Sequence, residues 1–104
     1  MTVYVDQLMD CVPNRRWRWR QACHLVADEL DDLHDFAYRL GLKRAWFQMS
    51  RSGVPHYDLT ATMRARAVRL GAEEIGPDRF CEIAERWRTR SAMERKTGSL
   101  FSTP

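Results

Sequence analysis

The sequence predicts an α+β fold with a single mixed or antiparallel sheet and helices on one face. Short runs rich in β-branched and aromatic residues alternate with longer segments of helical periodicity. A weak internal repeat places an Arg-Leu-Gly triplet at residues 39–41 and again at 69–71, each at the end of a predicted helix. Each triplet precedes a further predicted strand. This is the βαββαβ order of a ferredoxin-like unit, with an added N-terminal strand and C-terminal helix.

The strands are predicted from alternation and composition. Val3–Asp6 is a short first strand, and Arg16–Asp28 alternates strictly at its start, which predicts a second and longer strand. Arg44–Gln48 and His56–Leu59 are predicted as the third and fourth strands, and residues 74–75 as a short last one.

Three helices are predicted from their end signals and apolar spacing. The first runs from an N-cap at Asp28 to Gly41, and the second runs from Thr60 or Thr62 to Gly71. Pro77 opens the third, in which Phe80, Ile83, Ala84 and Trp87 form an apolar stripe. Periodicity fades beyond about residue 91, so residues 1–90 are predicted to be a single domain and residues 91–104 a flexible tail.

Composition excludes several protein classes. With 104 residues, 44% of them hydrophobic and 30% charged, the chain is long enough for one globular domain. It has no apolar run of the roughly 20 residues that cross a bilayer, and its start lacks the pattern of a signal peptide. We therefore expect a cytoplasmic protein with no membrane partner. The three cysteines form no CxxC pair and are expected to be reduced, with Cys81 as core filler.

The charge pattern indicates an anionic partner. The net charge is +3, and arginine dominates the basic residues. Arginine makes planar, two-pronged contacts with phosphate and also stacks on bases. The expected partner is a phosphate-bearing ligand, either a nucleotide or a nucleic acid.

Strand parity gathers polar side chains on one face of the predicted sheet. Alternate residues of a strand point to the same face, so the parity opposite to the apolar one marks an open surface. The candidate ligand-binding residues on that surface are Arg18, Arg20, His24, Arg44, Trp46, Gln48 and His56. A sheet face that carries an aromatic ring and arginines can stack a base and hold phosphate. The alternative is a polar sheet face that the last helix partly covers.

Two kinds of catalytic chemistry fit the same strands. His24 and His56 are candidates for general acid–base catalysis. A two-histidine phosphoesterase has a serine or threonine two residues after each histidine, and this chain has neither at those positions. Asp6, Asp28 and Asp58 each end a predicted strand and are the candidate ligands for a metal ion. No cofactor is otherwise expected, and Mg²⁺ is the ion that these aspartates would bind. Capping and turn formation are the alternative roles of the aspartates.

A series of short motifs in order resembles one known family. The motifs are Val3–Asp6, Cys23–Asp28 followed by Glu29-Leu30, Leu33-His34, Ala45–Gln48, His56–Leu59 and Arg69–Ala72. Together they resemble a small bacterial and phage family catalogued as domain of unknown function 4031, over about residues 1–76. The resemblance implies a bacterial, actinobacterial or phage protein of the cytoplasm. The family has no established activity, so it assigns no catalytic residue.

Three functions remain open from the sequence. The preferred one is a nucleotide or nucleic-acid binding module that uses the basic, aromatic sheet face. The second is a small phosphodiesterase or nuclease that uses His24 and His56, with or without a divalent metal. The third is a structural or interaction protein that forms homo-oligomers through Trp17, Trp19 or Trp87.

Overall fold

The computed structural model describes the backbone of residues 2–101 and the side chains of residues 2–94. Its strands are β1 (Val3–Val5), β2 (Met9–Asp10), β3 (Gln21–Ala27), β4 (Gln48–Met49), β5 (Pro55–Leu59) and β6 (Glu73–Glu74). Its helices are α1 (Leu30–Leu40), α2 (Ala61–Arg69) and α3 (Pro77–Phe101), with a 3₁₀ turn at Arg44–Trp46. None of the helices in the described part of the chain has the length and apolar character needed to cross a membrane.

The strands form one mixed sheet, as predicted. Their order is β4-β5-β3-β1-β6, and β2 pairs with the first residues of β3. β1 and β6 run parallel, whereas the other neighbours are antiparallel. The chain therefore has the predicted α+β class with a single sheet.

The ferredoxin-like detail differs from the prediction at β1. This strand lies between β3 and β6, which would pair directly in the plain βαββαβ arrangement. All three of its residues, Val3–Val5, are buried. A strand that is apolar on both faces is most stable inside a sheet, because only there are both faces covered.

The helices cover both faces of the sheet, not one face as expected. α1 and α2 pack on the face that carries Leu25 and Tyr57. α3 packs on the opposite face, where Ile83 and Ala84 join Tyr4 and Val26 in a second apolar cluster. Apolar residues of both parities in β1 and β3 leave each face in need of cover, and the stripe of α3 provides the second cover.

Three segments differ locally from their predictions. β3 begins at Gln21, so residues 16–20 lie before the strand, and Arg44–Trp46 is a 3₁₀ turn where a third strand was expected. α3 continues through Phe101, so the helix includes residues 91–101 of the predicted tail, and Ser91 donates a hydrogen bond to the Gly53 carbonyl at 3.2 Å. Residues 102–104 of that tail lie outside the described residues.

The cysteines divide by burial. Cys23 is buried between β3 and the α1–α2 layer, and burial, with Asp6 nearby, raises the pKa of its thiol to about 12. Cys81 is exposed on α3, which corrects the expectation that it fills the core. It adjoins the buried stripe of the helix without being part of it, because residues one position apart on a helix point about 100° away from each other.

Candidate metal centre

Three neighbouring strands bring two histidines and two aspartates together. In the antiparallel pair of β3 and β5, His24 lies directly opposite Asp58. His56 precedes Asp58 by two residues on β5 and so lies on the same face. Asp6 follows β1, which pairs with β3 on its other side. The four residues therefore meet where β1, β3 and β5 run side by side.

Asp6 fixes the orientation of His24. Its Oδ2 lies 2.8 Å from His24 Nδ1, and its Oδ1 accepts a hydrogen bond from the His24 backbone N–H at 2.6 Å. Asp6 is the one polar residue among the buried residues of the described chain, at 7% exposure. Its hydrogen bond raises the pKa of His24 against the opposing effect of burial, and the charges of Asp6 and Asp58 add to the rise. Since Nδ1 carries the proton that Asp6 accepts, neutral His24 has its lone pair on Nε2.

His56 is oriented in the same sense by a backbone carbonyl. Its Nδ1 lies 3.0 Å from the carbonyl oxygen of Val54. A carbonyl can only accept, so Nδ1 must carry the hydrogen and neutral His56 also has its lone pair on Nε2. Both imidazoles therefore present the same unprotonated atom to the space between them.

The two Nε2 atoms face one carboxylate oxygen. Asp58 Oδ1 lies 3.9 Å from His24 Nε2 and 3.8 Å from His56 Nε2. Donor atoms of all three residues lie within 4.8 Å of one another. These distances are too long for hydrogen bonds. Lone pairs that converge without a shared proton repel each other, and a cation between them removes that repulsion.

The spacing fits a metal ion after a small contraction. In a tetrahedral site with bonds of about 2.0–2.1 Å, neighbouring ligand atoms lie about 3.3–3.4 Å apart. The two distances to Asp58 Oδ1, 3.8 and 3.9 Å, exceed this by about half an ångström, and all donor atoms lie within 4.8 Å of one another. Side-chain rotation must therefore bring the donors closer together for them to bind one ion. Metal-bound histidines usually donate their other N–H to a carboxylate or carbonyl, as His24 and His56 do here.

The cluster has one aromatic wall and one open side. The ring of Phe80, from α3, stacks on His24 with 5.4 Å between centroids. Gln48 donates a hydrogen bond of 2.7 Å to the second oxygen of Asp58 and so limits its rotation. The side chains of His24 and Asp58 are 39% and 28% exposed. A water molecule or substrate can therefore reach an ion held by the three ligands.

The candidate residues from the sequence are only partly brought together. His24, Gln48 and His56 meet at the cluster, and Asp58 meets them from the predicted aspartate set. Asp28 lies at the other end of β3, where its two oxygens accept hydrogen bonds from Tyr4 and Arg86. The three aspartates do not converge, because β3 and β5 run antiparallel and their carboxyl ends lie at opposite edges of the sheet, as the predicted hairpin order implies. Asp28 is therefore not a ligand of the same ion as Asp58.

The remaining members of the predicted binding face lie elsewhere. Arg44 lies near His34 and Tyr57, which places it toward the α1–α2 side. Burial and then Arg44 lower the pKa of His34, whereas burial raises the pKa of Tyr57 against the opposing charge of Arg44. The half-exposed ring of Trp46 contacts Lys43, with Nζ 5.6 Å from its centroid. Arg18 and Arg20 precede β3. All four residues, Arg18, Arg20, Arg44 and Trp46, therefore lie outside the predicted binding face. The prediction assumed that residues 16–20 and 44–46 are strands, and in the structure they are not.

Two contributors to the cluster were not identified from the sequence. Phe80 was recognised as a core residue of the last helix, but its contact with His24 depends on which sheet face that helix covers. The carbonyl of Val54 carries no side-chain signal at all. Asp6 was identified as a candidate ligand, whereas in the structure it orients His24.

Comparison with known proteins places the chain in a family. A family model described as "Protein of unknown function (DUF4031)" matches residues 3–88. The chain belongs to this family. The match confirms the resemblance found from the sequence motifs, and in this DUF4031 chain it includes His24, His56, Asp58 and Asp6. No curated protein and no solved structure gave a significant match.

Proposed function

We propose that this protein is a metal-dependent hydrolase of phosphodiesters. The observation that carries the proposal is the convergence of His24 Nε2, His56 Nε2 and Asp58 Oδ1 around a space that no hydrogen bond fills. Three protein ligands with an open fourth position are typical of catalytic zinc sites. The net charge of +3 supports an anionic substrate.

The donor set favours a transition metal over Mg²⁺. Imidazole nitrogen suits Zn²⁺ and its neighbours in the first transition row, whereas Mg²⁺ prefers oxygen ligands and retains water. Two nitrogens and one carboxylate oxygen therefore favour an ion such as Zn²⁺, Co²⁺, Mn²⁺ or Fe²⁺ over Mg²⁺. This differs from the Mg²⁺ site that three aspartates would form.

The proposed reaction is hydrolysis by a metal-bound hydroxide. An ion held by His24, His56 and Asp58 would lower the pKa of a bound water to about 7 and would so supply hydroxide at neutral pH. Its oxygen forms a new bond to phosphorus as the bond to the leaving alkoxide oxygen breaks. One proton passes from the water to solvent and one returns from solvent to the alkoxide, and no electrons are exchanged.

Metal titration tests the centre directly. Chelator-treated protein is titrated with Zn²⁺ by calorimetry and with Co²⁺ by its visible absorption. Wild-type protein is expected to bind one ion per chain, and Asp58→Asn is expected to weaken binding by more than about 100-fold, since loss of an outer-shell partner alone costs about 10–100-fold.

Asp28→Asn is the matched control. Like Asp58→Asn, it replaces an aspartate carboxylate with an amide, but at a residue whose side chain is hydrogen-bonded to Tyr4 and Arg86. Its Zn²⁺ affinity is expected to equal that of wild type. Equal weakening by Asp28→Asn and Asp58→Asn would refute the proposed ligand set.

Activity is tested with bis(p-nitrophenyl) phosphate. The Zn²⁺- or Mn²⁺-loaded wild type is expected to release nitrophenolate, and His56→Ala and Asp58→Asn are expected to lose this activity. The proposed hydrolase would be contradicted if the protein binds Fe²⁺ tightly and hydrolyses the diester with none of the ions tested. Oxygenases hold Fe²⁺ with the same set of two histidines and one carboxylate.

A further inference from the structure

The segment before β3 forms a paired hairpin that we call the arginine arm, residues 9–21. It begins with the pairing of β2 and β3 and continues with a hydrogen bond from the Cys11 N–H to the Arg20 carbonyl at 2.9 Å. At its tip the Asn14 N–H bonds to the Trp17 carbonyl at 2.8 Å. The Asn14 side chain accepts from the N–H groups of residues 16 and 17. The arm is therefore ordered by its own hydrogen bonds.

The arm presents arginines that have no carboxylate partner among the described residues. Its four arginines are Arg15, Arg16, Arg18 and Arg20, and all are exposed. Five arginines elsewhere in the described chain each form an ion pair with an acidic residue, namely Arg64, Arg79, Arg86, Arg88 and Arg90. Other described arginines also lack such a pair, but the arm is distinct in carrying its four within residues 15–20. The arm carries its positive charge uncompensated, which suits an external anion.

The two tryptophans of the arm differ in their surroundings, since Trp17 is hydrogen-bonded within the arm and Trp19 is exposed. The Trp17 indole N–H donates to the Gln21 carbonyl at 3.2 Å and braces the arm against the start of β3. Trp19 is 44% exposed, with the Arg18 guanidinium 4.6 Å from its ring centroid. An exposed indole beside unpaired arginines offers a stacking surface together with phosphate contacts.

The arm is continuous with the metal centre. β3 carries His24, and Arg20 lies four residues earlier along the same chain segment. At about 3.3 Å per residue the two positions are about 13 Å apart. That span corresponds to about four nucleotides of a stacked strand at 3.4 Å each.

We propose that the substrate class of the metal centre is single-stranded nucleic acid, held by the arginine arm. The arm arginines bind backbone phosphates and Trp19 stacks on an unpaired base, while a phosphodiester further along the strand reaches His24, His56 and Asp58. This assignment of a substrate rests on the proposed hydrolase. A single strand fits better than a duplex, because the bases of a duplex are not free to stack on Trp19.

Binding is measured without cleavage, by fluorescence anisotropy of a labelled twelve-nucleotide oligothymidylate and oligouridylate in the presence of chelator. Wild-type protein is expected to bind one or both, with affinity that falls as salt rises. Arg18→Gln/Arg20→Gln is expected to reduce the slope of log affinity against log salt by about 1.4, since each single-strand phosphate contact contributes about 0.7. Trp19→Ala is expected to weaken binding by about 5-fold or more with an unchanged slope.

The matched control is Arg88→Gln/Arg90→Gln. It removes the same number of positive charges from α3, where both arginines are paired with glutamates. The control is expected to retain the wild-type slope. Equal effects of the two double variants would overturn the role of the arm, because net charge alone would then explain binding. Circular dichroism of each variant establishes that it is folded.

Two further measurements separate this inference from the proposed hydrolase. In the metal-loaded protein, the arm double variant is expected to retain hydrolysis of bis(p-nitrophenyl) phosphate and to lose cleavage of the oligonucleotide. If metal-loaded wild type hydrolyses neither the small diester nor the oligonucleotide, the proposed hydrolase is refuted. If it hydrolyses the small diester but binds no oligonucleotide, the proposed role of the arginine arm is refuted. Binding to vesicles of anionic phospholipid but not to oligonucleotides would also overturn the assignment of single-stranded nucleic acid as substrate. Tighter binding of duplex or of dinucleotides than of the single-stranded oligonucleotides would overturn it as well.

Discussion

At the scale of single residues, Asp6 sets the chemistry of His24. The aspartate accepts hydrogen bonds from both the side chain and the backbone N–H of His24, so it fixes the ring and stabilises its charged form. The same contact leaves Nε2 facing Asp58. A proton and a metal ion therefore compete for one atom, and metal binding must release the proton.

This competition predicts a pH dependence that Asp6→Asn should alter. The pKa of folded His24 is raised above its usual value of about 6.5, so its contribution to the stability of the metal-free protein is complete below about pH 6.5. The contribution is lost as pH rises through the folded pKa. Asp6→Asn is expected to lower the pKa of His24 and to move this loss to lower pH. NMR titration of the imidazole Cε1–H and urea unfolding across pH 5–9 measure the two effects.

His34 serves as the internal control in the same spectra. It lies on the other face of the sheet, where it contacts Tyr57, and its pKa is lowered by burial and by Arg44. Its titration is expected to be the same in wild type and Asp6→Asn. An unchanged His24 pKa in the variant would show that Asp6 does not stabilise the imidazolium.

At the scale of elements, α3 decides what surrounds the metal centre. Its apolar stripe covers the second face of the sheet and places Phe80 on His24. The indole N–H of Trp87 donates to the Ala27 carbonyl at 2.8 Å and ties the helix to the end of β3. Further along, Ser91 contacts the loop before β5 at Gly53. The helix is therefore held to the sheet at several points along its length.

The contact between Gly53 and Ser91 can be tested with a pair of glycine substitutions. Gly41 and Gly53 have nearly the same backbone angle, with φ of 93° and 96°. A Cβ at Gly41 meets open space, whereas one at Gly53 lies 2.8 Å from Ser91 Cβ. Both alanine variants should lose about 1–2 kcal/mol from the positive φ, and Gly53→Ala should lose about 1–3 kcal/mol more from the overlap. Urea unfolding measures both.

Ser91→Gly provides the second side of a double-mutant cycle. It removes the atoms that collide with an alanine at position 53, so Gly53→Ala should cost less in that background than in wild type. Equal costs in the two backgrounds, or equal costs of Gly53→Ala and Gly41→Ala in wild type, would show that α3 does not contact this loop in solution.

At the scale of the whole molecule, the metal centre joins strands that are distant in the chain. His24 belongs to β3, whereas His56 and Asp58 belong to β5 beyond α1. An ion held by all three would link the two central strands and bind only the folded chain. Metal binding should therefore add to the free energy of unfolding in proportion to the logarithm of ion concentration.

Thermal unfolding with and without Zn²⁺ measures this linkage. At an ion concentration about 100 times Kd, the free energy of unfolding should rise by about 2.7 kcal/mol. For a domain of this size the Tm should then rise by about 10–20 °C. Excess chelator should reverse the shift. Asp58→Asn should show a shift of less than about 3 °C at the same ion concentration, because its affinity is more than about 100-fold weaker. A shift equal to that of wild type in this variant would place the bound ion elsewhere.

The local features of this protein are predictable from its amino-acid sequence. The α+β class followed from its periodicities. Gly41 ends α1 in a left-handed conformation, which glycine adopts readily because it has no Cβ. Strand parity placed seven side chains on one face, and the structure brings three of them together with Asp58, namely His24, Gln48 and His56. The other four, Arg18, Arg20, Arg44 and Trp46, lie outside the regular strands. Each of these features depends on residues a few positions apart, so the pattern within a single segment is sufficient to predict it.

The way in which the segments combine depends on contacts between residues that are distant in the chain. β1 lies between β3 and β6, and α3 packs on the second face of the sheet. Both arrangements depend on where each apolar segment buries the most surface in the folded chain. The register that sets His24 against Asp58 joins residues 34 positions apart, and the contact of Asp6 with His24 spans 18. Periodicity within one strand carries no information about such pairings. They are selected by the free energy of the whole packed sheet, in which every strand and helix must bury its apolar surface at once.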